Sequence, residues 1–362
     1  MNPSVDVAVV GAGAAGLAAA IAAARAGCST LLMDRRPAAG GTGGFSGLTT
    51  LCGLFDDEGR WLVEGLAREF AEAIAEGAPV RMGRVWAQLY QPEKFRETAA
   101  KFISTTPGLQ TLWNTPLAEV RHHDRRITAL CGREVRAVID CSGEAEVARA
   151  IGIECPATDE ATQAPAVIFP LHNIGCPLES AADRARVLLP LARAGLPPLR
   201  FQPGAEPGTV TVKLAGRPEQ AREVLEFLRA NVRGFERCAT PQAEMSASRR
   251  AGRMIPGEYV LTGADVLAGR KFPDAAARCA WPVEQWGPDG ACRLRYLAAG
   301  AHYEIPARSL RAAGAGNLFM AGKTISADAE AIASARVMGA CLATGMAAGQ
   351  LAAAHLKSDS TR

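Results

Sequence analysis

The sequence lacks any CxxC pair, although ten cysteines are scattered through its 362 residues. This absence excludes a zinc ribbon, a ferredoxin-type cluster and a thioredoxin-like redox pair, and we expect no metal site. The sequence also lacks a strong excess of one charge, because 40 Lys and Arg residues stand against 37 Asp and Glu residues. A surface that coats nucleic-acid phosphates needs such an excess, so we expect no nucleic-acid partner.

Long apolar runs are scarce as well. The run over residues 14–26 has only 13 residues, whereas a helix needs about 20 to cross a bilayer. The longer run over residues 331–356 consists mainly of alanine and glycine and carries Arg336, so we expect a packed helix and no membrane span. No charged leader precedes the first apolar strand near Val5, and we therefore expect a cytoplasmic protein with reduced cysteines.

The sequence does contain enough apolar material for more than one core. Hydrophobic residues make up 48% of the chain and charged residues 21%, which excludes disorder as the global state. A chain of this length exceeds one ordinary core, so we expect two domains or one large domain.

The N-terminal segment predicts a strand, a tight turn, a helix and a second strand. An apolar run over residues 5–10 leads into a GxGxxG turn, and strong helix formers follow over residues 17–26. A second apolar run over residues 29–33 ends at Asp34. A lone GxGxxG is a weak signal among 37 glycines, but this order of elements is typical of the first βαβ unit of a dinucleotide-binding domain.

Each glycine of such a turn has a physical task. Gly11 permits the tight turn, Gly13 lets the backbone approach a pyrophosphate, and Gly16 permits close packing of the helix on the strand. The exposed N–H groups and the helix dipole favour negative phosphates. Asp34 is placed to accept hydrogen bonds from ribose hydroxyls.

Further along the chain, the patterns predict a mixture of strands and helices. A glycine-rich loop is expected at residues 40–44. The other predicted elements are helices over residues 61–76, 92–104 and 218–231, a β-meander over 112–130, strands over 135–141, 166–172, 209–214 and 317–321, and a long alanine-rich helix over 334–355. No second strand–GxGxxG unit occurs in residues 156–300, so no pyridine-nucleotide domain is predicted there.

Four segments in the later part of the chain carry a further signal: VIDCSGEAEVA at residues 138–148, IPGEYVL at 255–261 after Arg250 and Arg253, EIPARSL at 304–310, and NLFMAGKTIS at 317–326 followed by residues 334–338 and 344–349. Taken in order, they resemble a broad group of FAD-dependent oxidoreductases in the glutathione-reductase-like FAD/NAD(P)-binding superfamily. Their counterparts in that group read IDATGDgdlA, IxGEYxL, IPYRSL and a C-terminal flavin-binding pattern. The similarity spans nearly the whole chain.

The resemblance implies an α/β fold with a glutathione-reductase-type, Rossmann-like FAD-binding domain built from residues 1–155 and 301–362. Residues 156–300 would then form a second, mainly β plus helix domain that caps the flavin and shapes the substrate site. FAD is the implied cofactor. The residues expected to bind it are Gly11, Gly13, Ala14, Ala15, Gly16, Asp34, Arg35, Gly41, Thr42, Leu117, Ser142, Gly143, Gly322, Lys323, Arg336, Val337 and Met338.

The implied reaction is hydride transfer between a small organic substrate and N5 of the flavin. His302 is a candidate general base, and Arg250 with Arg253 is a candidate clamp for a substrate carboxylate. A structural histidine and a solvated basic face are the alternatives for these residues.

Two other functions stay open at the level of the sequence. A flavin monooxygenase would need NADPH to dock transiently or a partner to deliver electrons. A non-catalytic FAD-binding subunit of a larger complex would use the cofactor only structurally. For an enzyme we expect a small-molecule substrate and a separate electron acceptor or donor, and a homo-oligomer is an open alternative.

Overall fold

The computed structural model describes residues 4–158, 163–204, 208–240 and 247–359. The strands are, in chain order, β1 (Ser4–Val10), β2 (Thr30–Met33), β3 (Thr50–Cys52), β4 (Val80–Met82), β5 (Val85–Leu89), β6 (Leu109–Leu112), β7 (Val120–His123), β8 (Arg126–Leu130), β9 (Arg133–Asp140), β10 (Ala166–Leu171), β11 (Leu199–Pro203), β12 (Val210–Ala215), β13 (Ala247–Ser248), β14 (Ala275–Cys279), β15 (Val283–Trp286), β16 (Cys292–Arg295), β17 (Tyr303–Pro306) and β18 (Leu318–Met320). The α-helices are α1 (Ala14–Arg25), α2 (Gly41–Phe45), α3 (Gly65–Ile74), α4 (Pro92–Ser104), α5 (Glu146–Ala150), α6 (Ala181–Arg193), α7 (Pro218–Asn231), α8 (Gly263–Leu267), α9 (Ala329–Ala335) and α10 (Met338–Asp359). Two 3₁₀ helices cover Ala307–Leu310 and Gly322–Thr324.

A central sheet carries the first βαβ unit. Strands β6, β2, β1 and β9 lie side by side and parallel, and β18 pairs in parallel with the C-terminal part of β9. The hairpin of β7 and β8 extends the sheet, antiparallel to the start of β9. Helices connect the parallel strands, so the sheet is Rossmann-like. Because parallel strands end at the same edge, the turns after Val10, Met33, Asp140 and Met320 come together there.

The last helix returns the chain to the first βαβ unit. Helix α10 packs along α1 through alanine and glycine. A Cβ on Gly345 would lie 2.1 Å from the carbonyl oxygen of Ala15, and one on Gly349 would lie 2.3 Å from that of Ala19. Only glycine lets the two backbones approach this closely, so these small residues fix the position of α10 against the glycine turn.

A separate four-stranded antiparallel sheet, in the order β11, β12, β10, β13, lies in the middle of the chain. One of its faces packs under α6 and α7 through an apolar cluster that includes Phe169, Val212, Leu214 and Val224. Strands β14 and β17 pair with each other, although they lie on opposite sides of the expected boundary at residue 300. The division into residues 1–155, 156–300 and 301–362 stays a prediction.

The structure matches some predicted elements and corrects two others. Helices α4 and α7 have the predicted bounds, and the predicted meander contains the β7–β8 hairpin. The loop predicted at residues 40–44 is instead mostly helical, because α2 covers Gly41–Phe45. The long helix expected over residues 334–355 is present as α10 but begins later, at Met338, because α9 ends at Ala335 and the two helices meet at a bend of 95°.

Tertiary contacts explain this bend better than local propensity does. The hydroxyl of Ser334 donates to the carbonyl oxygen of Trp281 at 2.5 Å, which holds the end of α9. The start of α10 presses on another segment, since a Cβ on Gly339 would lie 2.6 Å from the carbonyl oxygen of Cys52. Within the described residues, no single helix is long and apolar enough to cross a membrane, although the bent α9–α10 pair passes that test when its two helices are joined.

Candidate functional site

A cavity of about 440 Å³ opens at the edge of the central sheet where the parallel strands end. The turns after β1, β2, β9 and β18 form its walls, together with α2 and the start of α10. The predicted cofactor residues that line it are Gly11, Gly13, Ala14, Ala15, Asp34, Arg35, Gly41, Thr42, Leu117, Ser142, Gly143, Gly322, Lys323, Arg336 and Met338. The structure thus brings together segments that are far apart in the sequence.

The three glycines of the first turn have different surroundings. Gly11 has a φ of +96°, and a Cβ there would lie 2.5 Å from the carbonyl oxygen of Cys141. A Cβ on Gly16 would lie 1.7 Å from the carbonyl oxygen of Gly11, so this glycine serves helix packing and does not line the cavity. Gly13 has an ordinary φ of −73°, and the nearest neighbour of a Cβ there would be the Cα of Gly41, at 4.0 Å. Protein atoms therefore leave the face of Gly13 open toward the cavity.

Asp34 at the end of β2 holds the first turn in place. Its Oδ2 accepts a hydrogen bond from the backbone N–H of Ala12 at 2.6 Å, and its Oδ1 accepts one from that of Arg36 at 2.8 Å. Each carboxylate oxygen has a second lone pair, so Asp34 keeps the capacity to accept from a hydroxyl in the cavity. Its predicted contact with a ribose stays a prediction.

A buried carboxylate, that of Asp140, shapes the turn after β9. Asp140 accepts hydrogen bonds from the backbone N–H and hydroxyl of Ser142, at 3.0 and 2.7 Å, and from the backbone N–H of Val147 at 2.9 Å. Burial raises the pKa of Asp140, although these donors act in the opposite direction. The turn that carries Ser142 and Gly143 is therefore positioned from inside the protein.

Arg336 lies at the bend between α9 and α10. Its Nη2 donates to the backbone carbonyl oxygen of Glu284 at 3.3 Å. Its Nε is buried and, among the described residues, has no hydrogen-bond partner. Burial lowers the pKa of Arg336, and the nearby carboxylate of Glu284 opposes this shift. Arg336 is half-buried and lines the cavity, so its guanidinium places a positive charge in the wall at this end.

Glu284 is the carboxylate whose charge acts on Arg336. Its Oε2 accepts from the indole N–H of Trp281 at 2.8 Å, and its Oε1 accepts from the indole N–H of Trp286. Burial acts to raise the pKa of Glu284, but the positive charges of Arg336 and Lys213 and the two indole donors together lower it. Glu284 is therefore ionised at neutral pH.

Two further cations, Arg250 and Lys213, lie near Glu284 and Arg336. Arg250 lines the cavity, donates through Nη1 to the carbonyl oxygen of Ala164 at 2.6 Å, and stacks with its Cζ 4.1 Å from the centre of the Trp286 ring. Lys213 on β12 is half-buried, and burial lowers the pKa of its ammonium, with the charge of Glu284 opposing. Lys213 and Glu284 are not among the residues predicted from the sequence. The one available signal was a lysine between the buried Val212 and Leu214 in an apolar strand.

The structure separates the remaining candidates from the cavity. Arg253 does not line it, and its Nη1 donates instead to the carbonyl oxygen of Cys155 at 2.9 Å. The expected pair of clamp arginines is therefore split, with only Arg250 at the wall. His302 does not line the cavity either, and burial together with the charge of Lys271 lowers its pKa. Val337, next to Arg336, is buried but does not belong to the lining.

The cavity wall has an excess of positive charge. Its anionic side chains are Asp34, Glu144 and Glu146. Its cationic side chains are Arg35, Arg36, Arg249, Arg250, Lys323 and Arg336. The lining thus suits a ligand with several negative charges.

A Rossmann-like sheet with a glycine turn and a cationic cavity at the carboxyl edge of its strands is the arrangement typical of dinucleotide-binding proteins. The family model described as FAD dependent oxidoreductase matches residues 6–189 and 196–362, and the chain therefore belongs to this family. The protein is an oxidoreductase, and FAD is its cofactor.

Solved structures share this fold at low sequence identity. A geranylgeranyl bacteriochlorophyll reductase-like protein from Thermoplasma acidophilum is 14% identical, with a TM-score of 0.53 over 99% of this chain and 80% of its own. A flavoprotein/dehydrogenase from Cytophaga hutchinsonii is 13% identical, with a TM-score of 0.51 over 98% and 79%. GidA from Aquifex aeolicus is 12% identical, with a TM-score of 0.52 over 98% of this chain and 64% of its own. The search of curated proteins found no match.

Three features of the cavity fit FAD. The open face of Gly13 leaves room for a group that approaches the backbone closely. The positive wall complements the charge of a pyrophosphate. The unpartnered Nε of Arg336 is a buried donor that needs an acceptor from outside the protein, because an unsatisfied buried polar group is costly.

Proposed function

We propose that this chain exchanges a hydride between a small organic substrate and FAD. The finer fold assignment belongs to the same proposal: a glutathione-reductase-type FAD domain formed by residues 1–155 and 301–362, capped by residues 156–300. FAD, when bound, supplies the two-electron chemistry at N5 of its flavin ring. The protein's own residues bind the cofactor, orient it and hold charge beside it.

The proposal assigns a task to each wall of the cavity. The turn with Gly11 and Gly13 and the N-terminus of α1 would hold the pyrophosphate, because backbone N–H groups and the helix dipole favour negative charge. Asp34 would accept from the ribose while it also braces the turn through Ala12. Arg336, at the other end, would hold positive charge beside the flavin.

The unpartnered Nε of Arg336 is the observation that carries this proposal. The buried Nε–H of this guanidinium lacks an acceptor among the described residues, and an unsatisfied buried donor is unfavourable. The guanidinium lies in the wall of the same cavity as the glycine turn. A cation at this place stabilises negative charge that develops on a bound group, and such fixed charge is effective where water is excluded.

Anaerobic reduction of the purified FAD-loaded protein tests the proposal. A panel of small organic compounds is added without any nicotinamide nucleotide, and the absorbance of oxidised flavin is followed. Bleaching by at least one compound supports direct hydride exchange with a substrate. Bleaching by NADPH alone, with oxygen consumption that depends on a second compound, would instead support a monooxygenase. A protein whose flavin only dithionite reduces would contradict the proposal.

A further inference from the structure

The middle sheet has two chemically different faces. Along β12, Val212 and Leu214 point into the apolar cluster under α6 and α7. Successive side chains of a strand point to opposite faces, so Thr211 and Lys213 lie on the other face. The hydroxyl of Thr211 contacts that of Thr49 at 2.5 Å, which shows that this second face lies against the segment before β3.

The neighbouring strand repeats this arrangement. Leu199 and Phe201 of β11 belong to the apolar cluster or pack against it. Arg200 and Gln202 alternate with them, and Gln202 accepts a hydrogen bond from Thr50 at 3.4 Å. These two strands thus contribute polar side chains to the face of the sheet that lies toward the rest of the protein, whereas β10 contributes Ile168, which pairs with Lys213.

Two cations of the cavity wall act on Lys213, which lies on this face and does not itself line the cavity. The ammonium of Lys213 is close enough to Arg250 and Arg336 for each of them to act on its pKa. Arg250 and Arg336 both line the cavity. The three residues come from β12, from the loop before Arg253 and from the α9–α10 bend, so the fold itself brings them together.

Only one described carboxylate acts on all three cations. Glu284 influences the pKa of Lys213, Arg250 and Arg336. Its two oxygens accept from the indoles of Trp281 and Trp286, and no ion pair within 4.0 Å joins it to a cation among the described residues. The nearby thiol of Cys52 adds no compensating charge, because burial raises its pKa to about 12.

The charges of this cluster therefore do not balance. Three cations against one carboxylate leave an excess positive charge in a partly desolvated place, and buried charge is normally paired. Two of the cations also retain free donors: the Nε of Arg336 has no partner, and Lys213 makes no hydrogen bond to any residue that the structure describes. An anion from outside the protein would satisfy both the charge and the donors.

We propose that the substrate of this enzyme is a small organic acid whose carboxylate is bound by Lys213, Arg250 and Arg336. This inference rests on the proposed function and names the substrate class for it. The guanidinium forks provide paired donors for the two carboxylate oxygens, and the ammonium adds a point charge. Glu284 supplies a nearby negative charge, and its backbone carbonyl oxygen accepts from Nη2 of Arg336.

The first test uses the wild-type, FAD-loaded protein and unreactive probes. Benzoate and succinate are titrated against it, with benzamide and succinamide as uncharged counterparts, and binding is read from the change in the flavin absorption spectrum. We expect the carboxylates to bind at least tenfold more tightly than the amides, since charged hydrogen bonds are the stronger ones. Equal affinity for acids and amides, or binding of neither, would overturn the proposal.

The second test compares matched variants. Lys213→Met keeps the aliphatic stem but removes the charge, and Arg250→Gln removes a guanidinium from the cavity wall. Arg253→Gln is the control, because Arg253 also donates through Nη1 to a backbone carbonyl oxygen but lies outside the lining. We expect the first two variants to weaken benzoate binding roughly tenfold or more and the control to retain wild-type affinity. Loss of affinity in the control alone would count against the assigned site.

FAD content and melting temperature are measured for each variant, and the wild-type titrations decide the question if a variant does not fold. The outcomes also separate the inference from the proposed function. Bleaching of the flavin by an uncharged substrate, with no binding of carboxylates, would overturn the inference and leave hydride exchange standing. Tight carboxylate binding without reduction by any acid in the panel would support the anion site and contradict hydride exchange.

Discussion

Ala12 and Asp34 are joined by a hydrogen bond of 2.6 Å from the backbone N–H of the first to Oδ2 of the second. The acceptor lies at the end of β2 and the donor inside the turn that follows β1. The carboxylate that was expected to serve a ribose thus also fixes the shape of the turn expected to bind the pyrophosphate. The two halves of the proposed nucleotide site are therefore mechanically linked.

Replacement of Asp34 should accordingly weaken FAD binding more than the loss of one ribose contact alone would. In Asp34→Ala, the buried N–H of Ala12 loses its acceptor, and we expect a loss of about 1.5–3 kcal/mol in FAD binding free energy. Asp34→Asn retains one acceptor oxygen and should lose less. Titration of the apoprotein with FAD measures both. Glu119→Ala removes an exposed carboxylate and serves as the control. Unchanged affinity in Asp34→Ala would contradict the linkage.

Gly13→Val should abolish FAD binding while the apoprotein stays folded. The backbone at Gly13 has a φ that any residue adopts, and protein atoms leave space for a Cβ. A branched side chain would instead fill the space assigned to the pyrophosphate. We expect a colourless protein whose circular dichroism is close to that of the wild type. Gly316→Val is the control, because Gly316 is exposed and no atom lies within 4 Å of an added Cβ, and this variant should stay yellow. Stoichiometric FAD in Gly13→Val would refute the assignment.

Gly345→Ala should destabilise the protein through the contact of α10 with α1. The added Cβ would lie 2.1 Å from the carbonyl oxygen of Ala15, and neither backbone can move without disturbing the core. Overpacking of this kind typically costs about 1–3 kcal/mol. Urea denaturation measures the change, with Gly316→Ala as the matched control. Equal unfolding midpoints for the two variants would show that the helices separate more easily than the structure indicates.

The effect of Glu284→Gln on stability should depend on pH. The pKa of Glu284 is lowered in the folded protein from its usual value of 4.5, so the unfolded state binds more protons below that pH. The stability that the carboxylate contributes is present above about pH 4.5 and is lost as the pH falls through the folded pKa.

Urea denaturation of wild type and Glu284→Gln between neutral and acidic pH measures this dependence. At neutral pH the variant should be less stable by about 1–3 kcal/mol, because the surrounding cations lose their counter-charge. The difference should shrink in acid. Glu223→Gln, at an exposed position on α7, controls for the loss of one surface carboxylate. A constant difference across the range would mean that Glu284 is not ionised in the folded protein.

Local sequence signals located the parts of the fold that depend on near neighbours. Helices α4 and α7 begin at Pro92 and Pro218, where proline suits the first turn, and their apolar spacing runs to the predicted ends. The first βαβ unit could be predicted for the same reason, since strand, glycine turn and helix follow one another directly in the sequence. The bend at Arg336 was not, because it depends on Trp281 and Cys52, which lie far away in the sequence.

The candidate site divides in the same way. Gly13 and Asp34 were found because each belongs to a motif with fixed spacing. Lys213 and Glu284 belong to strands of the middle region, and only the packing of the middle sheet against the central part brings their charges near Arg336. His302, by contrast, was predicted but does not line the cavity, although it lies next to a family segment in the sequence.

The pairing of α1 with α10 has a consequence for how the chain folds. Helices α1 and α10 lie near opposite ends of the described chain, so their contact closes one of the longest loops in the molecule. Closing a long loop slows folding. Strands β10 to β12 and helices α6 and α7 are neighbours in sequence and can associate first. We expect pulse-labelled amide hydrogens to become protected in α7 before α1. The nucleotide edge would then be completed last, and FAD would meet a chain whose middle sheet is already formed.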